Sequence, residues 1–143
     1  MANHETHNDR ETEIKLTNEL ILAYDPAKAE ETLNLITATR QFLERHFNGD
    51  ADNKSHEKVK PLSYTQLRNI LLEVKKHEQN LGRIIPKLAY MEAKLDDNNQ
   101  KKLVKFIREL LETAIRQKKD KIFIEYMDML VAFHKYYSSS KKQ

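Results

Sequence analysis

Leu62–Leu95 reads LSYTQLRNILLEVKKHEQNLGRIIPKLAYMEAKL, and its reading decides the fold. Ser63 suits a helix N-cap, and Gln66 three residues on can reach back to it, which makes a capping box. Leu62 before the cap and Leu67 at the fourth helical position are spaced as a hydrophobic staple. Leu67, Ile70, Leu71 and Val74 then share one face at helical spacing, with Arg68 and Lys75 on its rim. After Leu81-Gly82 a second helix carries the apolar stripe Ile84, Leu88, Met91 and Leu95. Arg83, Lys87, Tyr90 and Lys94 form a different stripe, which lines up three cations and one aromatic ring along a helix surface.

Working outward, the same grammar repeats. Ile14 to Tyr24 is a short apolar segment, a short helix or a docking arm. Asp25-Pro26 suits an N-cap and first helical position, predicting a helix to about Phe47 with Ala29, Leu33, Ile36, Leu43 and Phe47 inward. Asp96, Asp97 or Asn98 caps a helix to about Gln117, with Leu103, Phe106, Ile107, Leu110, Leu111 and Ala114 as its core stripe. Lys101, Lys105 and Arg108 fall on the opposite side. The last helix, about Asp120 to Tyr137, turns Ile122, Tyr126, Met129, Leu130, Phe133 and Tyr137 one way and Ile124 and Val131 nearly the other. Apolar on two sides, it belongs at the centre of a bundle, with some surplus for a partner. The expectation is an all-α, single-domain bundle of about five helices over residues 14–137. Residues 1–13 and 138–143 read as disordered tails and 48–61 as a flexible loop.

Several function classes drop out. The chain has no cysteine, so thiolate metal sites and cysteine nucleophiles are excluded. Two glycines and three prolines leave little material for phosphate loops, and no dinucleotide fingerprint, Walker motif or H-E-x-x-H occurs. No cofactor or metal is called for. No apolar run approaches the ~20 residues of a membrane span, so a cytoplasmic protein is the default. The net charge of +3 is uneven: residues 1–59 carry 7 Lys+Arg against 12 Asp+Glu, and residues 60–143 carry 18 against 10. A positive excess gathered in the larger part suits a polyanion.

Two functional readings compete, one of them in the acidic part of the chain. Arg40 and His46, with five residues between them, resemble the loose arginine-histidine motif of the helical HEPN ribonucleases. A helix C-terminus, where Arg45 and His46 favour the negative dipole end, explains the same residues without catalysis. The basic stripe is a better signal than that motif, though not a specific one: guanidinium and ammonium groups pair with phosphates, and Tyr90 can stack on a base or ribose. The same residues equally fit solvated Lys87 and Lys94, a Tyr90 packed on a neighbour and an Arg68 that holds Glu73, Glu92 or another helix's acid. A protein-only adaptor that turns the same cations to an acidic partner is a further alternative.

The segments Leu62-Ser-Tyr-Thr-Gln-Leu-Arg68-Asn-Ile-Leu, Pro86-Lys-Leu-Ala-Tyr90-Met-Glu-Ala-Lys94 and Phe123 through Tyr136 resemble, in the right order, the small helical subunit of type III-A CRISPR (Csm) interference complexes. Lys94 departs from the arginine that the family tends to carry, keeping the charge without the planar fork. The resemblance implies a non-catalytic subunit of an antiviral ribonucleoprotein. Its partners would be guide RNA, target RNA, other complex subunits and further copies of itself in a short filament. On that reading the RNA contacts are Arg68, Arg83, Lys87 and Lys94, followed by Lys75, Lys101, Lys105 and Arg108.

Overall fold

Residues 13–49 and 59–140 are described in the computed structural model, with the backbone alone for Ser140. They form six helices: α1 (Asn18–Leu22), α2 (Ala29–Asn48), α3 (Tyr64–Lys76), α4 (Ile84–Lys94), α5 (Asn98–Arg116) and α6 (Asp120–Ser140). A single 3-10 turn, Leu81–Arg83, leads into α4. There is no strand among the described residues, so the all-α, single-domain expectation holds.

The capping box reads as the sequence spells it. The Ser63 hydroxyl accepts from the Gln66 N–H, and the Gln66 side chain accepts from the Ser63 N–H, each at 3.0 Å. Both staple residues, Leu62 and Leu67, are fully buried. Asp97 proves to be the cap of α5, accepting from the N–H groups of Asn99 and Gln100.

Asp25-Pro26 does not start a helix. The Asp25 carboxylate accepts from the Ala27 N–H at 3.0 Å and its carbonyl from the Lys28 N–H at 2.9 Å, closing a tight turn. Asp-Pro supports such turns as readily as helix starts, and α2 begins at Ala29 with Lys28 as a cap that contributes no side-chain bond. At the other end of the chain α6 continues through residues 138–140, because serine disfavours a helix only slightly. The tail readings at residues 1–12 and 141–143, and the loop reading at 50–58, lie outside the described residues.

One contiguous apolar cluster draws on every helix. α6 packs against α1, α2, α3 and α5, while α4 packs chiefly against α5. The central position expected for the last helix is therefore observed. Its inward face is rotated, however: Phe123, Met127 and His134 are fully buried, whereas Ile122, Met129 and Phe133 are only partly so. Four neighbours bury α6 through most of its circumference, so its inward face is set by packing rather than by an apolar stripe. Deep in the core the Tyr126 hydroxyl meets Thr39 Oγ1 at 2.9 Å, which satisfies both polar groups where water is excluded. Burial pushes the Tyr126 phenol well above its usual range.

A candidate RNA interface

The α4 stripe survives intact. Arg83, Lys87, Tyr90 and Lys94 are all exposed, while Ile84 and Leu88 on the inward face are buried. Tyr90 is 67% exposed, with the Lys94 ammonium 5.5 Å from its ring centroid. Lys87 reaches across to α3 and holds Glu73 at 2.7 Å. That bond keeps the Glu73 carboxyl below its usual range. Both groups stand in solvent, and exposed pairs of this kind are weak and readily exchanged.

The other sequence-proposed cations do not join this row. On α3, Glu73 stands about 140–160° round the helix from Arg68 and Lys75. The first faces α4; the second pair faces α6, where Lys75 meets Asp128 at 3.0 Å. Arg68 is exposed and makes no ion pair among the described residues; the acids it could have taken are held by others, Glu73 by Lys87 and Glu92 by Arg108. On α4, Glu92 stands about 140–180° from the exposed stripe, and there Arg108 of α5 binds it at 3.0 Å while also reaching Glu112 at 3.4 Å. Those carboxylates hold the Arg108 guanidinium even more firmly charged than usual. Lys101, Lys105 and Arg108 thus lie on the flank of α4 opposite its own stripe. The eight cations form three rows, on the α3–α6 seam, on α4 and on α5, rather than one face. Lys75 and Arg108 serve as inter-helix ties.

The Arg40/His46 reading meets a different geometry. His46 is buried, and its Nε2 accepts the Leu62 N–H at 2.9 Å. His134, fully buried, donates from Nε2 to the Leu62 carbonyl at 2.8 Å, since a carbonyl can only accept. Asn99 donates to the carbonyls of His46 and Lys60, at 2.8 and 3.1 Å, and Gln100 donates to that of Pro61 at 3.1 Å. Four side chains from α2, α5 and α6 therefore pin the main chain of residues 60–62. Burial first, and the neighbouring His134 second, push His46 down to about 4, with Asp97 opposing. Burial likewise lowers His134, against the bond to Leu62. Arg40 lies beside the Tyr137 hydroxyl. His46 is thus a neutral structural acceptor with its Nε2 committed. This role has no signature in sequence spacing, because its partners are main-chain groups.

Residues 44–140, from the last turn of α2 through all of α6, match the family model described as Csm2 Type III-A. The chain belongs to that family. It is accordingly a small subunit of the type III-A CRISPR complexes, and the Csm2 match takes in the α4 stripe, the paired cations and both buried histidines. It begins earlier than Leu62, where the segments that carry the resemblance start, and leaves out α1 and most of α2. Neither a curated protein nor a solved structure matches the chain.

Proposed function

We propose that the chain is a non-catalytic, RNA-holding subunit of the type III-A complex, acting in the cytoplasm beside further copies of itself and the other subunits. The observation that carries this reading is the exposed row of Arg83, Lys87, Tyr90 and Lys94, in which Lys87 pairs with the half-exposed Glu73. A phosphate of guide or target RNA replaces Glu73 at Lys87 with little loss, and Tyr90 offers a face for a base or ribose. Arg68, Lys101 and Lys105 are exposed or half-exposed cations on the flanking rows, available to a strand that wraps the body. Lys75 and Arg108 rank last, because their carboxylate ties must break first. Contacts made through phosphates carry no sequence information, so binding is sequence-independent. A catalytic role is disfavoured by His46, whose Nε2 is committed to the Leu62 backbone.

Filter binding of single-stranded RNA across a salt series tests the reading. Affinity falls with salt at a slope of roughly 0.7 per phosphate neutralised. Lys87→Glu with Lys94→Glu lowers both affinity and slope while helicity is unchanged. A flat salt response, or unchanged affinity in the double variant, rejects it. Cleavage of labelled RNA that is lost in Arg40→Ala would move the chain to the ribonuclease reading. That variant serves better than one at His46, whose loss would disturb the fold.

A further inference from the structure

Glu73 stands between two bases. Its Oε1 accepts from Lys87 Nζ at 2.7 Å, and the same oxygen lies 3.5 Å from Nε2 of His77, one turn further along α3. The His77 side chain is only 19% exposed, and its Nε2 is buried with no hydrogen-bond partner among the described residues. The backbone fixes where the ring starts: His77 caps the C-terminus of α3, its N–H bonded to the carbonyls of Glu73 and Val74. A charge-assisted bond is about 2.7–2.9 Å long, so a shift of under about 1 Å closes the gap between the ring and Glu73.

The position suits an ion pair. Glu73 and His77 are spaced i, i+4 with the acid first, the better order on a helix, and they end the helix where its dipole favours a cation. What holds the carboxylate away is Lys87, which α4 brings across, with Lys76 of α3 acting more weakly. Glu78 follows His77 in the chain, and Arg83 stands at the head of α4; both are exposed. On the α6 side Asp128 is tied to Lys75, about 160° round α3 from His77. A phosphate that draws Lys87 away frees the Glu73 oxygen and brings negative charge of its own. Both changes favour a positive charge at His77.

We propose that RNA binding at the α4 row is linked to proton uptake: a phosphate takes Lys87, the released Glu73 carboxylate turns to His77, and His77 binds a proton from solvent as its Nε2–H donates to Glu73. The linkage rests on the RNA reading of Lys87 and adds regulation to it. A binding step that takes up a proton strengthens as pH falls, because coupling between two ligands is reciprocal. An imidazole in water takes up its proton near pH 6.5, so affinity rises between about pH 7.5 and about pH 5.5. At the upper end of that range Glu73 acts as a resident competitor for Lys87.

Filter binding of single-stranded RNA to the full chain, at one salt concentration and at both ends of that pH range, tests it. The unmodified chain binds about two- to fivefold more tightly at the lower pH, the scale of one partly exposed ion pair gained. His77→Gln keeps the affinity measured at the higher pH and loses the rise. Glu73→Gln also loses the rise, but binds up to about fivefold more tightly at the higher pH, because Lys87 is no longer held. That difference between the two variants is one that a general loosening of α3 would not produce. Calorimetry near pH 6.5, in two buffers of different ionisation heat, shows net uptake of a fraction of a proton, and less in His77→Gln. A flat pH response in the unmodified chain, or a rise undiminished in both variants, overturns the linkage while salt-dependent RNA binding stands. Absence of salt-dependent binding at either pH overturns the RNA reading and the linkage together.

Discussion

At the scale of single residues, the six histidines look scattered along the sequence, yet two of them meet on the main chain of one residue, Leu62. His46 takes the N–H of Leu62 and His134 gives to its carbonyl, with ring centroids 6.2 Å apart. Neither bond could be read from spacing, because the partner is a main-chain group 16 or 72 residues away. The consequence is a pH dependence. An unfolded histidine takes up its proton near pH 6.5, whereas His46 resists until about 4, so the folded state binds fewer protons in between. Its contribution is complete above about pH 6.5 and is lost as pH falls toward about 4. His134, lowered in the same direction, adds to the loss. Urea unfolding should therefore report about 2 kcal/mol less stability from His46 at about pH 5 than at about pH 7.5. In His46→Gln that share of the slope disappears. An identical slope in the variant would assign it to carboxylates instead.

At the scale of helices, what the sequence made legible was local. The start of α3 was readable because all its signals, Leu62, Ser63, Gln66 and Leu67, lie within six residues and act on one another. The face of α6 was not, because four neighbours bury most of its circumference and the apolar stripe no longer marks one side. The α5–α6 junction was located to within a residue or so, but its stopping device was hidden. Lys119 N–H bonds to the Ala114 carbonyl and Lys118 N–H to that of Ile115, at 2.8 and 3.1 Å, which is a Schellman closure. The residue at its left-handed position is Lys118, at φ 58°, where glycine is usual. Lys118→Gly should raise stability by up to about 1 kcal/mol by relieving that strain, seen as a higher melting temperature with unchanged helicity. A lower one would mean that the lysine side chain makes a contribution of its own.

At the scale of the molecule, sequence spacing can place cations on one helix but cannot say which flank a neighbouring helix will occupy. Lys87, Tyr90 and Lys94 stayed together because they share α4, and Arg83 joins them as the residue that caps its start. Arg68 and Lys75 were separated from them by how α3 docks on α6, and Arg108 by how α5 docks on α4. The same docking recruits Asn99, Gln100, His46 and His134 to hold residues 60–62. On the other side of the 50–58 stretch, Gly49 closes α2 through its N–H bond to the Arg45 carbonyl at 2.8 Å, with a φ of 82° that favours glycine. These bonds are all made by residues outside the 50–58 stretch. The body should therefore tolerate extra chain at that point: doubling a linker adds only about 0.6 kcal/mol of closure entropy. A fluorophore-bearing peptide or a small fused domain spliced in there would report on the subunit inside an assembled ribonucleoprotein without loosening the bundle.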